Sequence, residues 1–434
     1  MGDQQEISHL WASAMSVQIN TTGEFHLGAG QDVNHLDWSG VDDPLEANLL
    51  LIRRQKDDVP ILLVTIDLLY VGRLIREAIL NASQLPSENV IIAASHTHRA
   101  PMTDDTKPKL GVPDSDFLDS LSATLMRAVR DLISRPMEKS TLNVSSVNAR
   151  FSINRRRRKP LVIARQPRIN AVVNAPNPDG ATDDTLTSIS IRRLDGAAIA
   201  VIWNYACHPV AGPIRKAISA HYPGFARVAV RGREADQDLP VLFLQGFSGN
   251  TRPSASVSVH SFRRRLRQLI SGPLFENMTS SSYEEWSTNL AKSVENCIDR
   301  ERPVSADYLS AARVELNGEL FYKPGSRPVT FSRIDLGKSI TIIGMSGEVV
   351  AEYAPRLRSY FNERNVCCVG CLDDTFGYVP TEKIVREGGY EAGGFCDAFG
   401  LEQVNPAIER SVMSGFAKLL TAAELEDSLG WDEL

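Results

Sequence analysis

The sequence predicts an α/β fold: a central twisted mixed β-sheet with helices packed on its faces and an active site at the C-terminal ends of the strands. Three observations carry this expectation. Short, near-continuous apolar runs recur along the chain, the pattern of strands covered on both sides. Amphipathic helical stripes separate many of those runs, as in layered α/β architectures. Polar residues with chemical potential fall just after the runs, where open α/β sheets bind their ligands.

The strand runs are Ile61–Ile66, Val90–Ala93, Ile199–Trp203, Val241–Leu244 and Ile340–Ile343. Thr185 to Leu194, then Asp195-Gly196, then the Ile199 run reads as a hairpin, because Asp-Gly suits the positive φ angles of a tight turn. Helical spacing relates Phe117, Leu121, Leu125, Val129 and Leu132, with Pro136 beyond the end. Trp286, Leu290, Val294, Cys297 and Ile298 form a second stripe, and Val349 to Phe361 a third candidate. The turn-rich stretch from Ala175 to Asp184 reads as a loop within one domain spanning 1–434. Residues 422–434 read as an acidic helix or tail.

The 434 residues are 43% hydrophobic and 23% charged, a globular composition. A net charge of −6 argues against a nucleic-acid or anionic-membrane surface. Against that trend stands the basic run Arg155-Arg156-Arg157-Arg158-Lys159, whose simplest reading is a solvated loop. No apolar run reaches the roughly 18 residues of a membrane span. The start shows no basic segment followed by an apolar one, so the expected location is the cytoplasm. The 6 cysteines are not spaced as a disulfide framework. Cys368-Val-Gly-Cys371 has no companion pair, so buried thiols are expected there rather than a zinc or redox site.

The polar residues behind the runs are Asp67, His96 and His98, His208, the stretch "QGFSGNTRP", Glu348, and Asp373, Asp374 and Tyr378. In an extended segment residues i and i+2 share a side, so His96 and His98 are expected to face one site. His96, His208 and Glu348 form a His-His-carboxylate set suited to a catalytic zinc with an open position for water. His98 is then available beside the metal or as a proton carrier. The competing reading is a group of hydrogen-bonded core histidines.

At this level of detail the chain resembles the neutral/alkaline ceramidase superfamily, in its N-terminal catalytic domain. The matching stretches, in order along nearly the whole chain, are "DDPLEANLLLI", "TIDLL", "ASHTHRAP", "SINRR", "NYACHPV", "SAHYPGFA", "LQGFSGNTRP", "GMSGEVVAEYAPRLR" and "FGYVPTEKIVREGGYEA". The resemblance implies one catalytic Zn2+ per chain, or another divalent ion, held by His96, His208, Glu348 and Tyr378. It places His98 beside the metal, and it implies substrate-binding roles for Asn154, Arg155, Arg156 and Asn250. Arg157 to Lys159 stay solvated in this reading.

Four departures qualify the resemblance. Arg252 occupies the position of the family's serine in "GNTRP", with Ser248 nearby but out of register. His221 stands where relatives often carry Asp. Arg99-Ala100-Pro101 replaces the usual Ser-Gly-Pro. The family's C-terminal immunoglobulin-like domain is not expected here. The expected activity is therefore zinc-dependent hydrolysis of an amide C–N bond in a small or medium polar substrate. His98 would carry the proton. Arg252 or Arg156 would hold a substrate carboxylate or the oxyanion, the alternative for Arg252 being a salt bridge to a rim Asp. Ester, lactone or carbamate hydrolysis, and ligand binding without turnover, remain as alternatives.

Overall fold

The structure is a computed structural model describing residues 8–23, 26–28, 40–162, 168–213, 217–254, 272–275, 278–361 and 364–426. The chain begins with β1 (Leu10–Gln18), β2 (Glu46–Arg53), β3 (Ile61–Ile66), α1 (Arg73–Ser83), β4 (Val90–Ala94) and α2 (Ser115–Ser134). It continues through β5 (Glu138–Asn148), β6 (Ser152–Val162), β7 (Arg168–Asn177), β8 (Thr185–Arg193), β9 (Ala198–Tyr205), α3 (His221–Glu234), β10 (Val241–Gln245) and β11 (Thr251–Pro253). Next come α4 (Ser280–Ile298), β12 (Arg302–Val304), β13 (Leu309–Leu316), β14 (Tyr322–Lys323), β15 (Val329–Leu336), β16 (Ile340–Met345) and β17 (Glu348–Val349). The last elements are α5 (Tyr353–Arg358), β18 (Asn365–Val369), β19 (Tyr378–Val379), α6 (Glu382–Glu387), β20 (Gln403–Val404), α7 (Ile408–Ala417) and α8 (Ala422–Glu426). No helix among the described residues is long and apolar enough to cross a membrane.

A large mixed sheet has the order β10-β9-β8-β5-β1-β2-β3-β4, with β12 paired to β5. The anticipated apolar runs are strands, and β3, β4 and β10 are buried at every position. They are buried on both sides, but by different partners. On one face Leu62, Val64 and Ile92 pack with Ile75 and Ile79 of α1 and Leu121 and Leu125 of α2. Further along that face Trp203 and Phe243 pack with Tyr222 of α3 and Trp286 of α4. The other face carries Leu63, Ile91, Ile202 and Leu244, which meet Ile342, Cys367 and Val369 of a second sheet, β13-β15-β16-β18. Phe331, Ile343 and Cys368 on the far side of that sheet pack with Leu357 of α5 and Phe416 of α7. The layers are thus helix, sheet, sheet, helix. The expected mixed sheet with helices on its faces is present, and one face also meets a second sheet, because Ile340–Ile343 and Val366–Val369 build their own sheet rather than joining the first.

Local chemistry explains the element ends. Asp114 caps α2 by accepting from the Phe117 N–H at 2.7 Å, a contact worth about 1 kcal/mol. At the β8–β9 turn only Gly196 has a positive φ, 93°, so Asp195 does not share the left-handed conformation. The expected helix over Val349–Phe361 contracts to the six residues of α5. Glu348 and Val349 pair instead with Tyr378 and Val379 as parallel strands. The basic run is part of β6 rather than a loop. Lys159 is buried, and its ammonium donates to the Pro273 carbonyl at 3.0 Å, while Arg157 donates to the Pro176 carbonyl at 2.9 Å. All six cysteines are free and buried. The acidic segment is helical over Ala422–Glu426, and 427–434 lie outside the described residues.

Glu301, just past α4, packs beside Ser188 and Ser190 of β8, with neither carboxylate oxygen in a close hydrogen bond. Burial pushes its carboxyl from 4.5 up to about 7, against the opposing pull of those hydroxyls and of Arg192. The folded state therefore binds this proton more tightly than the unfolded chain, and stability falls as pH rises from about 4.5 to about 7. Partial solvent access limits the effect to about 1–2 kcal/mol. Glu301→Gln is expected to raise the urea midpoint at pH 8 and leave it nearly unchanged at pH 4. An equal effect at both pH values would show that the proton is not involved.

Candidate active site

Three parallel strand pairs, β3–β4, β9–β10 and β16–β18, end at one place. Backbone bonds tie their ends together. Gly370 donates to the Gln245 carbonyl at 2.9 Å, Cys371 to Gly347 at 2.9 Å, and Asp373 to Ile92 at 2.9 Å. The segments leaving these strands carry His96, His98, His208, Glu348 and Tyr378 into one buried cluster.

The histidines do not converge by strand alternation. His96 has a φ of 63°, in the left-handed region, so the chain turns at His96 instead of running extended to His98. The turn still brings the rings together. His96 Nε2 lies 3.0 Å from His208 Nε2, and His98 Nε2 lies 3.1 Å from the same atom. Glu348 Oε2 is 3.3 Å from His96 Nε2 and 3.8 Å from His208 Nε2.

The outer ring atoms settle the tautomers. His96 Nδ1 contacts the Leu69 carbonyl at 3.0 Å, and His208 Nδ1 the Ser248 carbonyl at 3.3 Å. A carbonyl only accepts, so both Nδ1 atoms carry hydrogen, and in neutral rings both Nε2 lone pairs point inward. Two lone pairs 3.0 Å apart, beside a carboxylate oxygen with no hydrogen-bond partner among the described residues, need positive charge between them. One proton can serve one of these contacts; a divalent cation can serve them all. The three imidazoles already meet the spacing of a metal-holding group. The residues therefore fit a metal ion.

The electrostatics point the same way. Burial pushes the Glu348 carboxyl up, but His96, Tyr378 and Tyr70 overcome this and hold it at about 2. Burial also lowers His96, yet the neighbouring Cys371 and Glu348 raise it well above the usual histidine range. Burial and charge on His96 then push His208 far down and His98 down to about 3. Burial, reinforced by Glu348 and opposed by Arg155, pushes the Tyr378 phenol well up. The Tyr378 hydroxyl accepts from Arg155 Nη2 at 3.1 Å.

The nominated substrate residues are largely engaged within the protein. Arg155 donates through Nε to Glu391 at 2.8 Å and through Nη2 to the Gly249 carbonyl at 2.7 Å. Arg156 donates to Glu391 at 2.9 Å and to the Gly388 carbonyl at 2.8 Å. Asn154 donates to the Ala181 carbonyl and accepts from the Arg156 N–H, bracing β6. Asn250 donates to Glu352 at 2.7 Å and accepts from the Ala351 N–H at 2.9 Å, fixing the start of α5. Arg252 sits on β11 with its guanidinium over the Phe275 ring, 4.2 Å from the centroid. Gly249 must be glycine because an added Cβ would stand 2.5 Å from the Glu348 carbonyl oxygen.

Three of the polar groups expected at the rim face elsewhere. Asp67 pairs with Arg227 at 2.8 Å, Asp373 with Arg313 at 2.7 Å, and Asp374 with Arg327 at 2.6 Å. Conversely, sequence reasoning passed over Tyr70, whose hydroxyl donates to Glu348 Oε1 at 2.6 Å, and Glu391. Tyr70 lies three residues past Asp67, at a strand end like the others, so the same positional signal could have found it. His221 is buried with a φ of 57°; its Nδ1 is 3.1 Å from the Tyr283 hydroxyl.

No family model matches the chain, and no curated protein matches it. Among solved structures it is similar to ceramidases, and the fold is ceramidase-like. One is a ceramidase complexed with C2, with a TM-score of 0.69 and 14% identity over 94% of this chain and 74% of that one. Another is the neutral ceramidase from Pseudomonas aeruginosa, with a TM-score of 0.70 and 13% identity over 98% of this chain and 75% of that one.

Proposed function

We propose that the protein is a zinc-dependent hydrolase that cleaves the amide C–N bond of a small or medium polar compound. The observation that carries this reading is the convergence of the His96 and His208 Nε2 atoms on a Glu348 oxygen that has no hydrogen-bond partner among the described residues, with the Nδ1 atoms of both rings held by carbonyls. His96, His208, Glu348 and Tyr378 would hold the ion. When bound by such a set, zinc lowers the pKa of water to about 7 and polarises a substrate carbonyl.

The chain's own groups do the rest. His98 is less buried than His96 and His208, and its Nε2 faces the cluster, so it takes the proton from the attacking water and passes it to the leaving nitrogen. Arg155, fixed by Glu391, sits beside the Tyr378 hydroxyl and offsets negative charge developing there. Arg252 remains the candidate for an anionic group on the substrate. The ceramidase-like fold supports an amide as the bond cleaved.

A panel of N-acyl compounds and matched esters, ceramide included, tests the assignment on zinc-loaded protein. Amides are expected to be turned over in preference to their esters. Preference for esters would reassign the bond, and binding without turnover of any panel member would make the protein a ligand-binding one. Rapid hydrolysis of ceramide would overturn the choice of a small polar substrate.

A further inference from the structure

We infer that Tyr70 is a positioning residue that fixes the Glu348 carboxylate so that one oxygen faces the histidine cluster, and that the buried Asp104–Lys107 pair holds Tyr70 in place. The inference rests on the metal reading above.

The two oxygens of Glu348 have different surroundings. Oε1 accepts from the Tyr70 hydroxyl at 2.6 Å, the short range of a hydrogen bond to a charged acceptor. Oε2 has no such partner and faces His96 and His208. Without the phenol, the carboxylate could rotate and exchange its oxygens.

Tyr70 is placed by its own backbone. Thr103 Oγ1 donates to the Tyr70 carbonyl at 2.6 Å, and the preceding Leu69 carbonyl is the one that orients His96. The two-residue segment Leu69–Tyr70, just past β3, thus sets the direction of two metal-facing groups. Glu348 is 278 residues from Tyr70 in the chain.

The ring has a cation above it. Lys107 is fully buried, with Nζ 4.9 Å from the Tyr70 ring centroid. Its ammonium pairs with Asp104, whose other oxygen accepts from the Thr106 N–H at 2.9 Å. Arg327 closes the group, donating to Thr106 Oγ1 at 3.1 Å and pairing with Asp374. A cation over an aromatic face is attracted to the ring and draws electron density from it, which makes the phenol a stronger donor to Glu348. Burying an ammonium is costly, and its place over this ring gives that cost a use.

The test is a zinc titration of the metal-stripped full chain in competition with a chromophoric chelator. Tyr70→Phe keeps the ring and removes the donor. Its zinc dissociation constant is expected to rise about 10- to 100-fold. The visible spectrum of the cobalt-loaded variant is expected to change, because the bands report coordination geometry. Asp104→Asn with Lys107→Met, remote from Glu348, is expected to weaken zinc in the same direction by less, and Lys107→Arg to restore most of it. A zinc affinity for Tyr70→Phe within about twofold of the parent, with the same cobalt spectrum, would overturn the inference. Should Tyr70→Phe not fold, an unchanged zinc affinity in the double variant would overturn it. If the parent protein takes up no metal, the proposed function falls as well. If the parent binds zinc but hydrolyses no amide, only the assigned activity falls.

Discussion

Replacing His96 and His208 together by Ala is expected to take bound divalent metal from about one equivalent per chain to less than about a tenth, and amide hydrolysis with it. The physical basis is the pair of inward lone pairs at 3.0 Å. Removing both rings leaves Glu348, Tyr378 and His98, too few donors for a tight tetrahedral site. A loss of fold is separable from a loss of ligand. Zinc at a thousandfold over its dissociation constant should stabilise the parent by about 4 kcal/mol, whereas the double variant should melt at the same temperature with zinc or with chelator. Less than about a tenth of an equivalent of any divalent ion in carefully prepared parent protein would sink the metal reading.

Glu391→Leu is expected to lower stability by about 3–5 kcal/mol, read as a fall in the urea midpoint with an unchanged slope. Exposed ion pairs are worth at most about 1 kcal/mol, so burial decides the size of the effect. Glu391 is 4% exposed and serves both Arg155 and Arg156, themselves 7% and 6% exposed. Its loss strands two guanidinium groups away from water, and one of them touches Tyr378. Amide hydrolysis is therefore expected to fall along with stability. Glu391→Gln, which keeps an acceptor of the same shape, should cost clearly less than Leu. A loss below about 1 kcal/mol for the Leu variant would mean that solvent reaches these charges in solution.

Much of the strand content was legible because it is local. A run such as Ile61–Ile66 is apolar at nearly every position, and the strand it forms is buried throughout. Such a run says that both faces are covered, but not by what. A helix and a second sheet place the same demand on the strand, and here one face of the large sheet meets each. The helix expected from Val349 failed for a related reason. Its first residues gain more from pairing with Tyr378 and Val379 than from a helical turn, and that partner is remote in sequence.

The candidate site divides along the same line. Residue type and position at strand ends nominated His96, His98, His208, Glu348 and Tyr378, and the resemblance added the ligand role of Tyr378; the structure brings all five together. Asp67, Asp373 and Asp374 carried the same positional signal and face arginines instead. Position at a strand end limits which side chains can reach a rim, while the partner each one finds is set by the folded neighbours.

From the sequence alone came the α/β class, the alternation of buried strands with amphipathic helices, and the donor types suited to a divalent ion. These follow from periodicity and side-chain chemistry, which act within a few residues. The tertiary structure alone decided that two sheets face each other, that His96 adopts a left-handed conformation, and that Arg155 and Arg156 are bound to Glu391. It alone decided that Tyr70 meets Glu348. Each of these depends on groups brought together across tens to hundreds of residues, and packing rather than local preference selects such partners.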